Sequence, residues 1–189
     1  MHVRLTTCRG ASVVDRGGEF LGTLSGVFLH PDTGKVEGIF VAVPAGLTGT
    51  EHPFCAVEDI IHWGAVVQIS GRDALAPLED RIRLAPVIAS GRTVLGQPIR
   101  TESGRALGTC KDVQFDTEKM RVEWLFPKKF FRWGVALPVT DIIEVRKDAI
   151  IIRDGMKAQA EPAVEKEPVS YEAFSEIVGQ QPTRGKIAS

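Results

Sequence analysis

The chain is poor in the residues that build most catalytic, metal-binding and membrane-spanning sites. Its 189 residues include three cysteines, four histidines and one tyrosine. Cys8, Cys55 and Cys110 are odd in number, scattered, and form no Cys-x-x-Cys pair. That excludes a disulfide framework and points to a reducing, cytoplasmic setting. No apolar run approaches the ~20 residues needed to cross a bilayer. The N-terminus also lacks the hydrophobic stretch of a signal peptide, so a soluble protein is expected. Leu5-Thr6-Thr7-Cys8 has the outline of a lipoprotein cleavage site, but no apolar run precedes it. Neither sign of charge dominates, the formal net charge being −1, which argues against a general nucleic-acid binder.

Catalytic signatures are missing too. Ser90 and Ser103 each precede a glycine but lack the surroundings of a nucleophile elbow. The stretch from Gly179 to Ile187 resembles a phosphate loop, yet its spacing is wrong by one and no hydroxyl residue follows Lys186. His52 and Cys55, with His62 further on, offer three donors near one loop, whereas structural zinc needs four at tight spacing. The sequence therefore predicts no enzyme, no cofactor and no metal site.

What the chain does have is a repeat. The fourteen residues 10–23 return as residues 96–109, with Gly10, Val13, Gly18, Leu21, Gly22 and Thr23 matching Gly96, Ile99, Gly104, Leu107, Gly108 and Thr109. Val27, Leu29, Val36 and Phe40 then pair with Val113, Phe115, Val122 and Phe126 at the same offset. Val57, Asp59, Ile60 and Ile61 pair with Val139, Asp141, Ile142 and Ile143 after the second copy has lost four residues in a loop. One such spacing means two copies of a small domain, each small enough to be marginal alone, so packing of one on the other is expected.

Each copy reads as short strands divided by turn signals. In the first, strands are predicted at 12–14, 21–29, 36–43, 54–57 and 66–70, with a tight turn at Pro31–Gly34 and a single turn at 58–60. In the second they are predicted at 98–101, 107–116, 120–126, 136–139 and 149–153. Glu118, Lys119 and Met120 replace Asp32, Thr33 and Gly34, which predicts a different hairpin turn there. The paired glycines suit turns and close backbone approaches, and Asp59 and Asp141 are placed to cap the turn entering the last strand.

The expected fold is all-β: two tandem small barrels, residues 1–75 and 94–156, joined by a proline-framed connector at 76–93 with at most one short element. Closing each barrel would remove its sheet edges. A flexible tail at 157–189 carries a short amphipathic helix near 170–178, with Ser170 as N-cap and Tyr171, Phe174, Ile177 and Val178 on one face. Those four side chains are expected either to dock on this chain's own barrel, which attachment favours, or to serve as a helical peptide for another protein.

The pattern Gly10, Val13, Asp15, Gly18, Leu21-Gly22-Thr23, then Asp32, Gly34 and Val36, then Val57 and Asp59-Ile60, resembles the PRC-barrel family. That family includes the cytoplasmic domain of the photosynthetic reaction centre H subunit and the C-terminal barrel of the ribosome maturation factor RimM. The resemblance covers roughly residues 8–70 and 94–154. It implies a small six-stranded barrel used for docking, and carries over no particular partner.

One stretch breaks the equivalence of the copies. Phe126-Pro127-Lys128-Lys129-Phe130-Phe131-Arg132-Trp133 stands where the first copy has the loop from Pro44 to Pro53, made mostly of small, uncharged residues. Aromatics with arginine are the usual anchors of binding surfaces. Either the rings are exposed for a partner, or they fold over the barrel mouth or into the contact between copies. The sequence thus predicts a cytoplasmic, non-enzymatic docking or scaffold protein. Its protein partner would meet Lys128, Lys129, Phe130, Phe131, Arg132 and Trp133. An RNA- or ribosome-associated factor is the second reading.

Overall fold

The computed structural model describes residues 1–44 and 52–155. The first copy contributes β2 (Ser12–Val14), β3 (Phe20–Leu29), β4 (Val36–Ala42), β5 (Phe54–Ala56), β6 (Ile60–Trp63) and β7 (Val67–Ile69), preceded by β1 (His2–Arg4) and followed by β8 (Leu75–Ala76). The second contributes β9 (Pro98–Thr101), β10 (Ala106–Asp116), β11 (Arg121–Lys129), β12 (Arg132–Trp133), β13 (Leu137–Pro138), β14 (Ile142–Val145) and β15 (Ile150–Ile152).

The two sheets have one topology. Strand order is β6-β7-β2-β3-β4-β5 in the first and β14-β15-β9-β10-β11-β13 in the second. In both, the last strand of the copy returns to lie parallel to its first, Val13 opposite Val67 and Ile99 opposite Ile150. The expected ring is not completed by hydrogen bonds among the described residues. Each sheet is an open, curled path whose ends are β6 and β8 in one and β14 and β12 in the other. β6 and β14 escaped the sequence reading because an adjacent isoleucine pair hides the alternation of a half-exposed strand.

The repeated glycines have concrete reasons. A Cβ on Gly22 would lie 2.4 Å from the Ala42 carbonyl oxygen, and one on Gly108 would lie 2.7 Å from that of Lys128. These are the same contact in the two copies, where the first long strand crosses close to the second. Capping by the repeated aspartates is not found. Neither the Val57–Asp59 nor the Val139–Asp141 turn has a side-chain cap. The Asp59 carboxylate instead accepts a hydrogen bond from the Ser70 hydroxyl at 3.0 Å.

The copies meet through their long hairpins. The Val36 amide donates to the Met120 carbonyl and the Val122 amide to the Gly34 carbonyl, both at 2.8 Å, around a bridge between Lys35 and Arg121. These three pairs are repeat equivalents, so the contact is isologous, a two-fold interface inside one chain. The turns themselves differ, as expected at 118–120: the Gly34 amide donates to the His30 carbonyl at 2.9 Å, whereas the Glu118 and Lys119 amides donate to the Asp116 carboxylate. Met120 takes a left-handed φ of 47°, close to the 65° of Gly34, because both carbonyls must point at the opposite hairpin. One continuous core of fully buried side chains, including Leu24, Ile39, Phe115 and Leu125, runs through both copies. The Trp63 and Phe115 rings meet edge to face across the contact at 5.2 Å.

Segments outside the repeat stitch the halves together. The first residues, grouped by sequence with the first copy, belong to the other sheet: β1 pairs antiparallel with β10, Val3 opposite Phe115. The connector holds more than the single element expected, with 3-10 turns at Leu78–Asp80 and Ile82–Leu84 and a helix at Ala85–Ser90. Its Leu84 is fully buried in a small separate cluster with Phe54 and Ala56, to which Phe28 and Phe40 add their rings. An apolar patch on the outer face of the first sheet needed this cover, and that need is invisible in the connector's alternating charges.

The N-terminal segment is tied down by Asp112, fully buried in β10. Its carboxylate accepts from the Arg4 guanidinium at 2.9 Å, the Thr6 amide at 3.0 Å, the Thr6 hydroxyl at 2.5 Å and the Val113 amide at 2.9 Å. Removing one partner of a buried ion pair leaves a charge uncompensated. Replacing Arg4 by methionine keeps the hydrocarbon stem and is expected to lower the unfolding free energy by about 3 kcal/mol. Equilibrium denaturation, read as a shifted midpoint at constant slope, checks this.

Candidate functional site

The basic-aromatic segment is a β-hairpin rather than a loop, so β11 extends beyond the end read from sequence. Lys128 pairs with Trp133 and Lys129 with Arg132, leaving Phe130 and Phe131 as a two-residue turn. Its root is fixed. Phe126 and Pro127 are buried, the Gly134 amide donates to the Pro127 carbonyl at 2.8 Å, and the Gly108 backbone closes on Lys128 from β10. The Arg4 guanidinium lies over the Phe126 ring at 3.9 Å and 5.3 Å from the Trp133 ring, whose other cationic neighbour is the Lys128 ammonium at 5.3 Å. Trp133, 50% exposed, thus lies between two cations.

The tip lies in solvent. Phe130 is 88% exposed and Phe131 is 95% exposed, with Lys129 and Arg132 exposed behind them. Neither phenylalanine folds over a barrel mouth or enters the contact between copies. Phe130 also has a φ of 55°. A two-residue hairpin turn whose first central residue is left-handed normally has glycine there, and a bulky side chain in that region is strained.

The remaining expected sites separate cleanly. Cys55 is buried in β5, while His52 and His62 are exposed, so the structure does not gather them. The described His, Cys and acidic ligand atoms that converge are those of His2, Asp116 and Glu123. There the Lys119 ammonium and the chain's amino terminus already lie within 4.0 Å of Asp116. Burial opposes ionisation of Asp116, yet the Glu118 and Lys119 amides and these cations hold its carboxyl below the ordinary range. Tyr171, Phe174, Ile177 and Val178 lie outside the described residues, as do 45–51 of the first copy's counterpart loop.

Sequence reasoning missed two features. The support of the hairpin by Arg4 and Asp112 joins positions 108 residues apart, and nothing local signals it. The second feature is a pair of related clefts beside the two-fold contact. One of about 450 Å³ lies between the Pro31–Gly34 turn and Ile142–Val145; the other, about 740 Å³, lies between 117–120 and 57–64. Each exposes the same repeated side chain, Ile61 at 48% and Ile143 at 46%. Adjacent strand residues face opposite ways, so the repeated isoleucine pair did carry that signal.

Two like-ordered curled sheets packed about an internal two-fold define a tandem small β-barrel module. The PRC-barrel domain family model matches the chain twice, over residues 2–75 and 87–159, and the chain belongs to that family. No curated protein matches it. No helix among the described residues is long and apolar enough to cross a membrane.

Two predictions follow from this geometry. Cys8, Cys55 and Cys110 are buried, and desolvation pushes each thiol up to about 12. A thiol reagent near neutral pH should therefore modify them only as fast as the protein unfolds; rapid labelling of the native chain would contradict this burial. Replacing Phe130 by glycine removes the strained φ and little packing. It is expected to stabilise the fold by about 1 kcal/mol in denaturant titration.

Proposed function

We propose that this protein is a non-catalytic, cytoplasmic docking scaffold that gathers protein partners and attaches through the hairpin at 126–133. The observation that carries the reading is the pair of phenylalanines exposed at the tip of a hairpin whose root is buttressed. Exposed aromatic pairs of this kind mark interaction sites. The three deeply buried thiols of raised pKa and the absence of a nucleophile motif in the sequence support the non-catalytic part.

The second reading is RNA or ribosome association. Rings flanked by cations suit base stacking, and the family resemblance includes a ribosome maturation factor. Against it stand the net charge of −1 and a cationic feature of three residues, few for tracking a phosphate backbone.

Affinity capture of the tagged chain from native lysate, with and without nuclease, tests both. The docking reading expects retained material that resists nuclease and is lost when Phe130, Phe131 and Trp133 are changed together to alanine. Binding that falls steeply with salt and disappears with nuclease would replace it by the RNA reading.

A further inference from the structure

Resting on the docking reading, we propose that the tip's own partner is an anionic lipid surface. Phe130 and Phe131 enter the boundary between head groups and acyl chains, while Lys128, Lys129 and Arg132 meet the lipid phosphates.

The order of side chains along the hairpin carries the inference. The turn puts the two rings outermost. Lys129 and Arg132 face each other on the first rung behind them, and Lys128 and Trp133 on the second. At about 3.4 Å per residue, the cations follow the rings by roughly 3–7 Å. That is the depth order of a bilayer interface, where apolar side chains reach about 5–10 Å into the boundary and cations remain at the head groups. Tryptophan on the second rung is the residue type that favours the head-group level.

Charge complementarity points the same way. Residues 124–140 contain three cations and no carboxylate, although the whole chain is slightly acidic. The positive charge is therefore local to the tip, as it must be for a protein that touches an anionic leaflet at one point. Shape adds a third argument. The tip is convex, and its two rings stand almost entirely free of this chain. A folded partner would need a preformed groove for both rings, whereas a bilayer yields to them. Fixation of the hairpin root by Arg4, Phe126 and Pro127 lets the tip insert without first ordering itself.

Sedimentation with extruded vesicles tests the proposal on the full chain, comparing phosphatidylcholine alone with a mixture containing about 30% phosphatidylserine. Binding is expected to the anionic vesicles and to weaken as salt is raised. Phe130→Gly and Phe131→Ser should each lose about tenfold in partition coefficient, and Lys129→Gln about fivefold. Phe130→Gly keeps the result interpretable, because that variant should be at least as stable as the parent. Indifference of the parent to anionic vesicles, or undiminished binding by the phenylalanine variants, overturns the inference. If vesicles are not bound but tip-dependent capture from lysate survives detergent, the lipid partner is excluded and the docking reading stands. If neither vesicle binding nor capture depends on the tip, both fall together.

Discussion

The reciprocal contact between the two long hairpins is the constraint on which the rest of this structure depends. Each copy alone is a small curled sheet whose strands form an open path. A domain of that size buries too little surface to be secure by itself. The bonds from Val36 to Met120 and from Val122 to Gly34 join the two hairpins, and a single core includes side chains of both copies. Because these residues are repeat equivalents, the tandem chain makes internally the contact that two separate copies would make as a symmetric dimer. Covalent linkage makes that contact independent of protein concentration.

Linkage also releases the copies from having to be the same. In a true homodimer, any feature gained by one subunit appears on both. Here the equivalent contacts have already diverged: Trp63 packs on Phe115 on one side of the two-fold, where Val145 and Leu29 are the counterparts. The hairpin at 126–133 exploits the same freedom. It is anchored through Arg4, and so through a strand that precedes the first copy but pairs with the second. The N-terminal segment thus supports this hairpin, and one buried carboxylate, Asp112, ties that segment to β10.

Much of this was legible in the sequence because repeated residues report repeated geometry. The strands at 12–14 and 98–101, the turn glycines and the close approaches at Gly22 and Gly108 follow from turn signals, the repeat itself and the exclusion of a Cβ. What stayed hidden depended on partners far along the chain. β1 has no local signal for pairing with β10, and the connector's helical turns exist because Leu84 covers Phe54. The positive φ of Met120 was hidden for a related reason: local propensity disfavours it without glycine, but an interface bond to Val36 overrides that. At the tip, the sequence identified the residues and left their burial open, since exposed and enclosed aromatics have the same local pattern.

The two non-glycine residues with positive φ among those described, Met120 and Phe130, decide how the tip should be understood. Strained backbone persists where the surroundings over-determine it or where function requires it. Met120 belongs to the first kind, because its carbonyl accepts the Val36 amide and its side chain packs against the shared core. Phe130 has no such compensation. Its ring is 88% exposed, and glycine would satisfy the same two-residue turn without the strain. Folding therefore gives no reason for phenylalanine at position 130. A second exposed phenylalanine beside it, with cations on the next two rungs, is what supports the proposal that the tip serves a contact outside the chain.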